Sequence, residues 1–170
     1  GSSIGVVIVK EAGQLTAALD ECFNLAQEVL VEEFIDGREI TAAVLGGNGE
    51  AEALPLIEIA PHSGCYDYHS KYTAGATEYL VPAPISEGAA ENVAELARKA
   101  YLMAGCSGVA RVDFMLRRSD DTAFALEINT VPGMTATSLV PKAAASAGMD
   151  FPTLCEKLLL AVVPSDLTKA

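Results

Sequence analysis

Histidine and cysteine are scarce in this chain, and their scarcity removes whole classes of chemistry. There are only two histidines, His62 and His69, too few for a His-based metal centre. The four cysteines, Cys22, Cys65, Cys106 and Cys155, lie far apart with no CxxC pair. That spacing argues against a zinc site or a dense disulfide framework and suits a reducing cytoplasm, the expected location. No Ser-His-Asp or Cys-His arrangement is suggested. Cations are also in deficit: 11 Lys and Arg against 23 Asp and Glu give a net charge of −12. Such a field argues against nucleic acid or an anionic membrane as a bulk partner, although a local cation can still receive a small anion. The longest aliphatic run, LLLAVV, is too short to cross a bilayer. No signal peptide or transit segment is visible.

Apolar residues are what the chain has in quantity. They make up 51% of 170 residues, enough core for one domain or two small subdomains. GSSIGVVIVK reads as a small-residue loop running into a strand. A helix follows, with Leu15, Ala18, Leu19, Cys22 and Ala26 on one stripe. EVLVEEFI reads as a strand closed by Asp36-Gly37. EITAAVLGG and EALPLIEIA read as two more, with Gly46-Gly47-Asn48-Gly49 as the hairpin tip between them. His62 to Ser86 has no clean period, and Pro82 and Pro84 break any helix, so a long loop is expected. Ser86 is positioned to cap a helix that buries Val93, Leu96, Ala97, Ala100 and Ala104 and stops at Gly105. A short helix is expected after Ser138, with Pro141 in its first turn and Gly148 as its stop. A final helix after Asp150 should bury Leu154, Cys155, Leu158, Leu159 and Val162, before a frayed tail PSDLTKA. Strands joined as hairpins early and helices late predict an α+β fold, not a doubly wound parallel sheet.

One stretch, GVARVDFMLRRSDDTAFALEINT, carries the candidate chemistry. With period two, Ala110, Val112, Phe114 and Leu116 share one strand face, and Phe124, Leu126 and Ile128 share a face of the next. Pairing about the middle of the RRSDD tip sets Asp113 opposite Glu127 and Arg111 opposite Asn129. Like charges facing each other on a sheet are destabilising. A divalent cation would turn that repulsion into attraction, and Asp113, Glu127 and Asn129 are hard oxygen donors suited to Mg²⁺ or Mn²⁺. The bland alternative spreads both acids into solvent on an exposed sheet. Lys71 lies in the aperiodic segment and could reach a phosphate beside Gly75, or be an ordinary surface lysine. The helix start near Gly133 and Ser138 could receive an anion, or Ser138 could be a plain cap. Gly1-Ser2-Ser3 could form an anion-binding nest or be a cloning remnant. Glu32, Glu33 and Glu39 around a strand end normally read as a solvated face.

Taken in order, GSSIGVVIVK, EVLVEEFIDGREITAAVLGG, YDYHSKYTAGATEYLVPAP, GVARVDFML and EINTVPGMTATSLVPKAAASAG resemble the D-alanine–D-alanine ligases of the ATP-grasp superfamily. The resemblance covers nearly the whole chain, and its EINTVPGMTATSLVPKAA and SKYTAG stretches are the most specific parts. It implies the C-terminal subdomain of an ATP-grasp fold over residues 37–163. Residues 1–36 would then be the remainder of the central subdomain, and 164–170 a flexible tail. It also implies a two-step reaction, in which one D-alanine carboxylate takes the γ-phosphate of ATP as an acyl phosphate. The amine of a second D-alanine then displaces phosphate.

By resemblance, Asp113, Glu127 and Asn129 hold two Mg²⁺ (or Mn²⁺) ions, and Lys71 contacts the transferring phosphate. Arg111 and the Gly133 amide stabilise the tetrahedral oxyanion. Ser138 and the Leu139 amide receive the second D-alanine carboxylate. Glu32, Glu33, Phe34, Ile35 and Glu39 line the adenosine pocket, with Glu39 on the ribose. Ser2 and Tyr72 join the network that closes the active-site loop, and Tyr72 marks a dipeptide ligase, because ligases making D-alanyl-D-lactate replace it. Cys65 stands where an aromatic residue is common near the nucleotide. The domain that binds the first D-alanine, and most of the central subdomain with its phosphate-holding lysines, fall outside these residues. The piece is therefore expected to have little or no ligase activity alone, and the full-length enzyme to be a homodimer. Two other readings compete: an ATP-grasp carboxylate–amine ligase with different substrates, and a non-catalytic Mg-nucleotide-binding module.

Overall fold

The computed structural model describes residues 5–47, 49–61 and 76–162. Helix α1 spans Leu15–Phe23. The sheet is built on one long strand, β1, Gly37–Gly47. Its far half pairs with β2, Glu50–Ala53, and its near half with β3, Ile57–Pro61. Strand β4, Thr77–Leu80, extends the sheet beyond β3. Helix α2, Glu87–Met103, follows, and then the hairpin of β5, Gly108–Arg117, and β6, Ala123–Asn129. Helices α3, Leu139–Ser146, and α4, Phe151–Val162, complete the described chain. The strand order is β4-β3-β1-β5-β6, with β2 beside β1, and every pair is antiparallel. The expected α+β class with a mainly antiparallel sheet is what is observed.

The run Ile40-Thr41-Ala42-Ala43-Val44-Leu45 is buried throughout because β1 lies at mid-sheet with helices on both faces. Ile40, Ala42 and Val44 point toward α2 and meet Val93, Ala97 and Tyr101 together with Val112, Phe114 and Leu116 of β5. Ala43 and Leu45 point the other way, against Val140, Ala143 and Ala144 of α3 and Leu154 of α4. Each such large side chain contributes about 1.5–3 kcal/mol by leaving water. Ser86 caps α2 as expected, its Oγ accepting from the Ala89 amide at 3.3 Å. Gly105 follows in the left-handed region at φ 64°, where a side chain would be strained.

Several local expectations are corrected. Neither Val6–Lys10 nor EVLVEEFI forms a strand, although both have strand composition. A strand needs a ladder partner for its backbone groups, and no described strand lies beside either segment. Val6, Leu30, Val31 and Phe34 are accordingly exposed. EALPLIEIA is two strands, because Pro55 has no amide to donate and the chain steps at Leu54–Leu56 from one half of β1 to the other. β4 lies inside the expected loop. On α2 the buried stripe ends at Tyr101, fully buried, while Ala104 is exposed as the C-cap. On α4 Leu154 is buried but Leu159 is 63% exposed, because α3 covers only one side of the helix.

The most consequential correction is on β6. Asp113 pairs with Glu127, but Phe114 pairs with Ala125, so Leu126 is the extra residue of a β-bulge. The shift moves Phe124 to the face of Met115, where the Arg117 guanidinium lies 4.6 Å from its ring centre. Ala123 and Ile128 pack on the α2 side, and Leu126 is half exposed. Bulges are at home on an edge strand such as β6.

Candidate active site

Two polar residues, Thr41 and Asp113, are buried among the described residues, and they face each other across the β1–β5 pairing. The Thr41 hydroxyl donates to Asp113 Oδ1 at 2.6 Å. Arg111 donates Nε to Oδ1 and Nη2 to Oδ2, each at 2.8 Å, a forked charge-assisted pair. On the other side of β5, Asp113 faces Glu127 and Arg111 faces Asn129, as the sequence pairing predicts. Glu127 is exposed, whereas Asn129 is half-buried and accepts from the Val131 amide at 3.1 Å, which turns the chain off the strand. Glu39 is two positions before Thr41 on β1, hence on the same face, opposite Met115. The face therefore gathers Glu39, Thr41, Arg111, Asp113, Glu127 and Asn129.

Besides the cation expected from the sequence, Asp113 has a partner of its own beside Glu127: Arg111 pairs with both of its oxygens. The donor chemistry still suits a hard divalent ion. A carboxylate has about four lone-pair sites, and three bonds engage Asp113. One site on Oδ2 remains, with Glu127 across the ladder and Asn129 two positions further along. No group of three or more His, Cys, Asp or Glu residues able to hold a metal occurs among the described residues, so the set is two carboxylates and an amide oxygen.

The chain leaves β6 into the segment before α3, which packs through Met134 and Leu139 on the same side of the sheet. Ser138 occupies the N-cap position of α3 but makes no side-chain cap. Its Oγ instead accepts from the Thr135 amide at 3.0 Å and pairs with Thr135 Oγ1 at 2.8 Å. The expected capping serine is thus turned back onto its own loop, leaving the helix start without that cap. Gly133 is exposed, and a Cβ there would lie 2.8 Å from Ser138 Oγ. Leu139 is half-buried as the first residue of α3.

The structure does not bring every predicted site residue to the sheet. Glu32, Glu33 and Phe34 are exposed and Ile35 is half-buried in a segment without regular secondary structure ahead of β1. Ser2, Lys71 and Tyr72 lie outside the described residues, as do Gly1, Ser3, Cys65, Gly75, the Val162 side chain and the tail from 163 to 170. A cavity of about 550 Å³ opens between the β1–β2 turn and α4, lined by Gly46, Gly47, Glu52, Lys157 and Ala161. It lies at the Gly47 end of β1, away from Thr41 in mid-strand, and its lysine is paired with Glu52 at 2.9 Å. The carboxylate cluster, not this cavity, combines opposed acids, an arginine and a glycine loop. Sequence reasoning missed Thr41. The signal was one hydroxyl inside the otherwise apolar run ITAAVL.

Residues 1–160 match the family described as D-ala D-ala ligase C-terminus. A protein of Anaeromyxobacter sp. named D-alanine–D-alanine ligase is 52% identical over 159 residues, which are 94% of this chain and 50% of that protein. Among solved structures, the VanG D-Ala:D-Ser ligase of Enterococcus faecalis superposes with a TM-score of 0.80 at 36% identity, over 96% of this chain and 47% of that one. The D-alanine–D-alanine ligase of Bacillus anthracis, solved with ATP, gives 0.74 at 33% identity, over 94% of this chain and 50% of that one. The chain spans about half the length of the curated relatives it matches. With an antiparallel sheet covered by helices and matches over nearly its full length, this chain belongs to the D-alanine–D-alanine ligase C-terminal family.

Proposed function

We propose that the chain is the C-terminal ATP-grasp portion of an ATP-dependent ligase that joins two D-alanines into D-alanyl-D-alanine, a precursor of peptidoglycan. The observation that carries this reading is the single sheet face on which Asp113 opposes Glu127 and Arg111 opposes Asn129, next to the Gly133–Leu139 segment. Asp113, Glu127 and Asn129 would hold Mg²⁺, which would supply positive charge against the ATP phosphates. Arg111, anchored on Asp113, stabilises the oxyanion formed when the second amine attacks. Gly133 brings a backbone amide to the same oxygen. Removing one such donor costs about 10²–10³ in rate in comparable sites.

The start of α3 receives the second D-alanine carboxylate at Ser138 and at the Leu139 amide, helped by the helix dipole. Glu39 faces the same side of the sheet and meets the ribose, while Glu32, Glu33, Phe34 and Ile35 border the adenine. Lys71 meets the transferring phosphate, and Ser2 and Tyr72 belong to the closing loop. The Bacillus anthracis relative was solved with ATP, which supports ATP as the nucleotide here.

The test is a chimera joining this chain to the N-terminal half of the Anaeromyxobacter relative. It should release phosphate from ATP in a D-alanine-dependent manner and yield the dipeptide, and E127Q should abolish both. The chain alone should release no more phosphate than D113N. A folded chimera that uses ATP only with another amino acid or a hydroxy acid would replace D-alanine as the substrate. A folded chimera that binds Mg-ATP without turnover would reduce the chain to a binding module.

A further inference from the structure

We infer that Thr41 is a positioning residue that decides which Asp113 oxygen is offered to a divalent cation; this rests on the reading of Asp113 as a metal ligand. Thr41 is 2% exposed and sits in a strand segment otherwise made of Ile, Ala, Val and Leu. Packing alone does not call for a hydroxyl there, because valine has the same shape. The hydroxyl is committed to Asp113 Oδ1 at 2.6 Å, short enough for a charge-assisted bond to a carboxylate. Its χ1 is stiff, because threonine is β-branched. The backbone holding it is mid-sheet, paired on both edges.

The hydrogen bonds around Asp113 are unevenly divided. Oδ1 accepts from Thr41 Oγ1 and Arg111 Nε, which uses both of its lone pairs. Among the described residues, Oδ2 accepts only from Arg111 Nη2. The open position is therefore on Oδ2, so the carboxylate binds an ion through one oxygen. Without the Thr41 donor, Oδ1 regains a lone pair and the carboxylate loses the contact that holds it from the β1 side. Partners of metal ligands commonly change metal affinity by about 10–100-fold when removed.

The experiment titrates Mn²⁺ into the ¹⁵N-labelled chain and reads paramagnetic broadening of the amides of residues 113, 127 and 129. Urea melts run in parallel on wild type, T41V and T41S. T41V keeps the shape and removes the donor, and it should weaken the Mn²⁺ midpoint about tenfold. T41S keeps the donor, and it should stay within about twofold of wild type even if it is less stable. A T41V midpoint equal to wild type, whatever its stability, overturns the inference and leaves the metal site standing. Wild type without broadening at these amides removes the metal site and the inference together. Should T41V unfold, T41A is read against T41S by the same criteria.

Discussion

Arg111 holds Asp113 from two positions away on the same strand, with Nε and Nη2 each 2.8 Å from a carboxylate oxygen. Both side chains are largely withdrawn from water, at 19% and 9% exposure. Removing one partner of such a pair leaves the other charged and poorly solvated. R111M should therefore cost roughly 3 kcal/mol, the lower end of the usual range, since Arg111 keeps some water. D113N should cost less, because its amide oxygen still accepts from Thr41. Urea denaturation of both variants checks the order, and equal losses would contradict it.

The bulge at Leu126 separates two neighbouring hydrophobic residues into different fates. Leu126 is 51% exposed, so L126K should change stability by no more than about 0.5 kcal/mol. Ile128 packs against the α2 core, so I128A should cost about 1–3 kcal/mol, somewhat less than at a fully buried site. Thermal melts of the two variants distinguish this register from an unbulged hairpin, in which Leu126 would face the core and L126K would be severe.

Ser86 joins two elements, accepting from the Ala89 amide while donating to Asp121 Oδ2 at 3.0 Å. S86A uncaps α2 and releases the tip of the β5–β6 hairpin. A loss of about 1–2 kcal/mol is expected, and faster amide exchange should appear in the first turn of α2 and at Asp121.

Gly133 and Ser138 are coupled by contact. A Cβ at 133 would sit 2.8 Å from Ser138 Oγ, which Thr135 holds in place. G133A should push the hydroxyl off Thr135 and cost about 1–2 kcal/mol. In G133A/S138A the clash disappears, so the double variant should lose less than the sum of the singles, by roughly 0.5 kcal/mol or more. Simple additivity in a urea-melt cycle would argue against the contact.

Burial raises the Tyr101 phenol above its ordinary value, with the nearby Cys106 adding a smaller push the same way. The sign follows from proton counting. Below pH about 10 the phenol is neutral in both states and its native contribution is intact. Above that the unfolded chain ionises first, so stability falls with rising pH until the folded group ionises too. Y101F should lack this component of the alkaline loss while keeping the ring in the core. Its hydroxyl bond to the Gly108 carbonyl is long, at 3.4 Å, so the cost at neutral pH should stay below about 1 kcal/mol. Equilibrium melts between pH 8 and about 11 compare the two slopes.

Much of this architecture was written in local chemistry. Ser86, Gly105 and Gly148 delimit helices through a hydroxyl acceptor and left-handed turns, which depend on neighbouring residues only. The opposition of Asp113 to Glu127 and of Arg111 to Asn129 follows from a two-residue period folded about a polar tip, and the pairing bears it out. The family was legible as well, because EINTVPGMTATSLVPKAA combines strand, glycine loop and helix start in one order, and the match over residues 1–160 agrees.

What the tertiary structure alone decided depends on partners distant in sequence. Whether EVLVEEFI is a strand depends on a neighbour to hydrogen-bond it, and composition carries no record of that neighbour. The bulge at Leu126 is a property of two strands together, since a one-residue slip leaves every local propensity unchanged while reversing the faces. The hydrogen bond of Thr41 to Asp113 joins residues 72 positions apart. A lone threonine in an apolar strand has no period or motif to mark it, and only packing β1 beside β5 gives its hydroxyl a carboxylate to hold.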